Sequence, residues 1–457
     1  LALCIRQIYS AKEVVIVLDK ENFNFNLTQF LDSSPTPFHA VSSMIRILGD
    51  AGFNELREAD EWTLTAGEKY FVTRNQSSII AFVMGHEMLS DSGINMVGAH
   101  TDSPCLMVKP DPEITAHGCF QLGVEVYGGA LLNPWFDRDL SIAGRLVYRD
   151  ATGQLKQTLV DFKRPVATIP NLAIHLDREA NSGHSVNPQK DISPILMLAN
   201  IKTESEGNKG DFRTLLAEQF LANKETVVDY ELCFYDTQGA ALIGFKNEFI
   251  ASARLDNLLS CFVASQALVH ADTTETCLMV CNDHEEVGSV SASGADGPFL
   301  EMVTARICAA QDSSVDLSRI INKSLMISCD NAHAMHPNFS QKHDPNHMPL
   351  LNGGPVIKIN VKQRYATNSL TSSLFKQLCM YTDVPVQSFV SRNDMGCGST
   401  IGPITSARLG VPTLDVGIPQ LAMHSCREMT GAEDPLRLAR VLQEFFQSNT
   451  DMPSMAG

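Results

Sequence analysis

The sequence is short of positive charge. Against 52 Asp and Glu it has 35 Lys and Arg, a formal net charge of −17. That balance argues against non-specific binding to nucleic acid or to an anionic membrane surface. It also means that an acidic ligand would need a local positive feature. There are 12 cysteines but no CxxC pair, so neither a zinc ribbon nor a thiol-redox motif is indicated. Cys261, Cys277, Cys281, Cys308, Cys329 and Cys379 sit within apolar runs and read as small hydrophobes in a reducing compartment. No apolar run reaches the roughly 18 residues of a membrane span. The run Val14–Leu18 is short and lacks a small-residue cleavage site, so a cytoplasmic protein is expected and the Asn-x-Ser/Thr triplets at Asn26, Asn75, Asn322 and Asn338 read as chance. GxSxG, HExxH, GxxxxGK[ST] and GxGxxG are all missing. So are internal repeats, low-complexity tracts and heptads.

What is present is an ordinary globular composition, 457 residues with 44% hydrophobic and 19% charged, long enough for a large core. Residues 27–50 read as two helices about the turn Ser34-Pro35-Thr36-Pro37. Tyr70–Thr73 and Ser78–Met84 read as a hairpin, and Ile94–Ala99 as a buried strand ending at His100. Between Ser103 and Phe249 the pattern changes to β segments separated by Gly and Asp turns. Asp150-Ala151-Thr152-Gly153 and Asp236-Thr237-Gln238-Gly239 both look like hairpin turns. An α/β alternation then resumes. An amphipathic helix is expected from Leu255, with Leu258, Leu259, Phe262, Val263 and Ala267 on one face. Strands lead into Glu285-Glu286, Asp330, Lys358 and the segment before His424. The expected fold class is α/β, an α/β/α catalytic domain with a central mixed sheet (1–104 and 249–457), interrupted by a β-rich insert (105–248).

His100, Glu285, Glu286 and Asp330 each follow directly on a buried-strand pattern, and His424 comes a few residues after another. Open α/β sheets build their sites at the carboxyl ends of strands, so distant residues can converge there. Asp256 lies at a helix start, a place suited to an anionic oxygen. Singly, each is an ordinary polar group at a strand end; together they form a set of imidazoles and carboxylates suited to zinc or a similar divalent ion. A pair of ions would need a bridging carboxylate, for which Asp256 is suited. Asp102, in His100-Thr101-Asp102, can accept the other ring N–H of His100. The loop histidines His333, His336, His343 and His347 do not have the spacing of a compact finger, and most are expected to serve structure or subunit contacts.

The phrases His100-Thr101-Asp102, Arg254-Leu255-Asp256-Asn257, Asp283-His284-Glu285-Glu286-Val287-Gly288-Ser289, Asp330 and Ala422-Met423-His424-Ser425 together resemble the aspartyl aminopeptidase family, co-catalytic metallo-exopeptidases. Gly128-Gly129-Ala130-Leu131-Leu132-Asn133-Pro134-Trp135 and Gln363-Arg364-Tyr365-Ala366-Thr367-Asn368 extend the match, which runs from about Phe38 to about Thr430. The resemblance implies that the β-rich insert is a dimerisation domain and that dimers build a tetrahedral dodecamer. It implies two divalent ions, zinc first with manganese or cobalt as alternatives, held by His100, Asp256, Glu286, Asp330 and His424. Glu285 is then the general base, Asp102 orients His100, and His175 enters the site of a neighbouring subunit. The implied substrates are peptides with an acidic N-terminal residue. Lys358 is the first choice for the side-chain cation, Arg364 the second, and His336 a further substrate contact. A related dinuclear-zinc amidohydrolase or deacylase, and a non-catalytic assembly or cargo protein, are the competing readings.

Overall fold

Four apolar runs lie side by side and parallel in the order Thr276–Asn282, Ile94–His100, Leu325–Cys329 and Thr413–Gly417. Every residue in them is buried, as expected for strands covered on both faces. They form the centre of a nine-stranded sheet in a computed structural model that describes residues 19–183, 185–199, 211–271, 274–311 and 316–448. The run Val14–Leu18 lies outside the described residues. On one side the sheet continues through the hairpin Ser78–Val83 and Lys69–Arg74 to Asn54–Leu56; on the other, through Val356–Ile359 to Gln387–Val390. Antiparallel joins at Ser78–Val83 and Val356–Ile359 make it mixed. The three-residue turn Asn75-Gln76-Ser77 that joins this hairpin has Asn75 and Gln76 in the left-handed region, at φ 53° and 56°.

Side-chain alternation gives this sheet two faces. Val97, Ala99, Met279, Cys281 and Ile327 pack under the helices Lys20–Asp32, Pro37–Asp50, Leu255–Val269, Ser369–Tyr381 and Asp434–Gln447. Met96, Leu278, Val280 and Met326 pack under Phe299–Gln311, Leu317–Lys323 and Ile401–Leu409. The result is the expected α/β/α sandwich. The helix Leu255–Val269 differs from expectation: it is buried along nearly its whole length rather than amphipathic. Phe262 packs against Phe23 and Phe30 at 5.2 and 5.5 Å between ring centroids, so the N-terminal helices cover the face that would otherwise meet water.

A second, six-stranded sheet is wholly antiparallel, in the order Leu155–Asp161, Leu140–Arg149, Thr226–Asp236, Cys105–Ala116, Cys119–Tyr127, Ile195–Leu198. It has its own core around Phe120, Leu122, Trp135, Phe212 and Phe234. The first expected hairpin, across Asp150–Gly153, is present. The second, across Asp236–Gly239, is not. The chain leaves the six-stranded sheet at Asp236, and Ala241–Ile243 pairs instead with Phe249–Ser252. That pair belongs to a five-stranded sheet with Glu428–Gly431, Pro419–Leu421 and Ala332–His333. The turn residues are used to tie segments together: Ala240 N–H donates to Asp32 Oδ1, and Thr237 N–H to the Asp139 carbonyl. Local turn chemistry marked a bend correctly but could not say which sheet lay beyond it.

Candidate metal centre

The parallel strands deliver His100 and Asp330 to one edge of the large sheet, and Asn282 leads within three residues to Glu285. Asp256 is buried there with φ −84° and ψ 104°, outside helical geometry, so the helix proper begins after Asn257. Asp256 Oδ1 lies 3.5 Å from His100 Nε2, and Asp256 Oδ2 lies 3.5 Å from His424 Nε2. One oxygen thus faces each imidazole. Asp330 Oδ1 lies 3.9 Å from His100 Nε2, Glu285 Oε2 lies 4.0 Å from the same nitrogen, and Glu286 Oε2 lies 3.3 Å from His424 Nε2. His100, Asp256 and Asp330 form one cluster with ligand atoms within 4.8 Å of one another; Asp256, Glu286 and His424 form another. His100, Glu285 and Glu286 satisfy the same distance, so distance alone does not separate the two glutamates.

The electrostatics fit divalent cations. Asp256 Oδ1 and Glu286 Oε1 are buried without a hydrogen-bond partner, which protein interiors seldom tolerate. Burial and the Asp256 charge push the Glu286 carboxyl up to about 9. Burial, with the charges of Asp330, Asp102 and Asp256, pushes Glu285 up to about 7. Burial opposes a charge on either imidazole, yet the carboxylates prevail: Asp102, Asp256 and Asp330 raise His100 well above its usual value, and Asp256 and Glu286 raise His424 to about 9. So much buried negative charge, with orphan oxygens pointing inward, is what a mixed imidazole and carboxylate metal site requires.

Residues 30–446 match the family model of the aminopeptidase I zinc metalloproteases (M18). The chain belongs to that family. A probable M18 family aminopeptidase 2 from Pseudomonas putida KT2440 is 57% identical over 433 residues, 94% of this chain and 99% of the relative. One from Azotobacter vinelandii is 55% identical over the same shares. Among solved structures, a chain of an Ape4 and Nbr1 complex is 42% identical with a TM-score of 0.90, covering 94% of this chain and 86% of that one. The mApe1 dodecamer of S. cerevisiae is 28% identical with a TM-score of 0.81, covering 93% and 96%.

In this M18 chain the groups around these imidazoles and carboxylates account for their geometry. The Asp102 carboxylate accepts the Glu285 and Glu286 N–H groups at 3.1 and 3.0 Å and the Tyr127 hydroxyl at 2.8 Å. Its carbonyl oxygen is 3.0 Å, and its Oδ1 3.3 Å, from His100 Nδ1. Nδ1 therefore keeps its hydrogen toward Asp102, and Nε2 faces the carboxylates. His424 has φ 68° and is held by the segment after the strand Cys119–Tyr127: its Nδ1 pairs with the Gly129 carbonyl at 3.1 Å, and Leu131 N–H donates to its carbonyl at 3.0 Å. A Cβ on Gly129 would stand 3.2 Å from His424 Nδ1, which explains a glycine there.

The proposed substrate residues are dispersed. Lys358 is 4% exposed; its ammonium donates to the Asp330 and Asn331 carbonyls at 2.9 and 3.0 Å, and sits 5.1 Å from the Tyr365 ring. Arg364 is exposed. His336 packs at a tilt against Phe339, 4.8 Å between ring centroids, and accepts from Asn338 N–H. His175 lies in an exposed turn beside Leu172, Ile174 and Leu176, also exposed, and joins none of the three clusters found among the described residues. Residues not singled out from the sequence stand closer. Tyr365 packs against Lys358, and Tyr127 anchors Asp102. His333, considered only as one of four loop histidines, carries a pKa lowered by burial and by Lys358. Its place three residues beyond Asp330 was the available signal.

Proposed function

We propose that this M18 aminopeptidase removes N-terminal Asp and Glu from peptides, with two divalent ions, zinc first and manganese or cobalt as alternatives, that Asp256 would help to hold. The observation that carries the acidic preference is a cavity of about 320 Å³ that runs from Ala422 and Met423, just before His424, to His333 and Tyr365, with Lys342 and Arg392 also in its wall. In a chain of net charge −17 this is a local concentration of cations and imidazoles beside a carboxylate-rich site. Lys358, behind Tyr365, adds a buried positive charge. A side-chain carboxylate would gain charge-assisted contacts there that an apolar side chain cannot make.

His100, Asp256, Glu286, Asp330 and His424 would hold the ions. Bound zinc supplies a more acidic water and polarises the scissile carbonyl. Glu285 takes the proton of the attacking water and returns it to the leaving amine. In the metal-free site, burial already raises this carboxyl to about 7, an environment that favours proton capture. Asp102 keeps the His100 ring turned and fixes the Glu285–Val287 turn, so one carboxylate aligns a ligand and the base.

The insert serves as the dimerisation domain, and dimers assemble into a dodecamer in which His175 reaches a neighbour's site. The exposed Leu172, Ile174 and Leu176 around it favour that burial. A cytoplasmic location accords with free cysteines throughout the described residues. Release of the first residue from Asp-, Glu- and Ala-terminated peptides, with and without chelator, tests the reading. Asp and Glu peptides should be cleaved and Ala peptides spared. Lys358→Ala should erase the difference; a preference that survives unchanged removes Lys358 from the pocket.

A further inference from the structure

Glu428 begins the strand Glu428–Gly431, opposite Ser252, and is 1% exposed. Its Oε2 accepts the Asp256 N–H at 3.0 Å and its Oε1 the His424 N–H at 2.7 Å. Gln420 Nε2 approaches Oε1 at 3.4 Å. Gln420 Oε1 in turn accepts from Asn331 Nδ2, which also donates to the Leu255 carbonyl, both at 2.8 Å. Asn331 directly follows Asp330. One buried carboxylate and two amides therefore tie together the backbones that carry Asp256, Asp330 and His424.

The chemistry explains why a carboxylate stands here. Neither Asp256 nor His424 lies in a helix or strand ladder that would satisfy its N–H, since one has ψ 104° and the other φ 68°. A buried N–H needs an acceptor. Two such groups converge on one side chain, and only a carboxylate presents acceptors to both. An amide would turn a donor toward one of them. The same two residues carry the oxygen and the imidazole nitrogen that face each other at 3.5 Å.

We propose that Glu428 is a positioning residue that sets the separation of Asp256 and His424, and through it the hold on zinc of that half of the centre. It touches no substrate and supplies no ligand atom. The proposal rests on the zinc reading of this site. The test loads the full chain with zinc and titrates it with a competing chelator, following zinc retained per chain and the melting temperature of the metal-free protein. Glu428→Gln should retain zinc at least about tenfold less tightly, the lower end of what loss of a ligand's supporting partner does. Asp434→Asn is the control. Asp434 is likewise buried and accepts two backbone N–H groups, those of Asn352 and Gly354 at 2.7 and 2.9 Å, away from the ligands. It should lower the melting temperature and leave zinc retention alone. Unchanged retention in Glu428→Gln, or an equal loss in Asp434→Asn, overturns the proposal. Should Glu428→Gln not fold, Gln420→Met leaves the carboxylate in place and removes its third donor together with the acceptor for Asn331 Nδ2. A several-fold weaker hold then supports the proposal and unchanged retention overturns it. An unsubstituted chain that binds no zinc fails the zinc reading itself, before any variant is compared.

Discussion

The two halves of the metal centre are built differently. The half around His100 is deep: His100 is 1% exposed, projects from a strand paired on both sides, and has its Nδ1 turned to Asp102. The half around His424 is open. That side chain is 30% exposed, its backbone is left-handed, and it is held from outside the large sheet by Glu428 and by Gly129 and Leu131, just beyond the strand Cys119–Tyr127. Asp256 spans the two. A strand end fixes a ligand through the sheet's own hydrogen bonds, whereas a loop ligand needs dedicated partners. The deep half should therefore be robust to loss of any one contact and the open half sensitive to a few.

Glu285 offers the sharpest way to weigh the halves, because it leans on the deep one, 4.0 Å from His100 Nε2. Glu285→Gln should keep zinc and lower kcat by about 10²–10⁴-fold, the range of a lost general base. Near-normal turnover would return Glu285 to the ligand set that distance also allows. Next come the imidazoles themselves. His100→Ala leaves Asp102, Asp256 and Asp330 facing one another in the interior and should cost about 3–5 kcal/mol of stability in urea unfolding of the metal-free protein. His424→Ala, at the exposed rim, should weaken zinc strongly yet cost about 1 kcal/mol or less. Equal stability losses would break the distinction between deep and open.

The same contrast governs what could be read from the sequence. The deep half was legible because buried strands have continuous apolar runs, and parallel strands end at one edge; His100, Glu285 and Asp330 each stood right after such a run. The six-stranded sheet was legible as a change of pattern near Ser103. Legibility failed where a residue acts through a partner distant in sequence. Glu428 and Tyr127 look like ordinary polar residues in isolation, and nothing local tells that they meet Asp256, His424 or Asp102. The helix from Leu255 had an apolar face, and the helices that cover its other side lie more than two hundred residues earlier in the chain. Spacing within the histidine loop cannot show that the His333 ring packs near Phe389 and comes under the charge of Lys358.

Proton release separates the halves more gently. Without a cation, Glu286 and His424 both hold a proton at pH 7, each raised to about 9. His100, raised well above its usual value, also holds one, whereas Asp256 is held well below the carboxylate range because the two imidazoles that face it at 3.5 Å outweigh burial. Zinc binding needs these groups proton-free. Zinc uptake near pH 7 should therefore release more than one proton per chain, measured with an indicator dye, and affinity should rise as pH goes from 6 to 9. His424→Ala should reduce the release, because the open half contributes Glu286 as well as its imidazole. A release that does not change would place the protons in the deep half alone.

The smallest effect belongs to Tyr127. Its hydroxyl donates to Asp102 Oδ2 at 2.8 Å, the same oxygen that accepts the Glu286 N–H. Burial and the charges of Asp102 and Asp283 push the phenol far above its usual range, so it remains a donor at any working pH. Tyr127→Phe removes that one bond and leaves Asp102 two backbone donors and His100. The loss should be about 1 kcal/mol, or roughly three- to tenfold in kcat, with KM and zinc retention unchanged. That modest outcome follows from redundancy: in the deep half several contacts define one geometry, and removing one leaves the others to hold it. A loss as large as that of Glu285→Gln would mean that Asp102 is aligned by Tyr127 alone, and the deep half would then be as fragile as the open one.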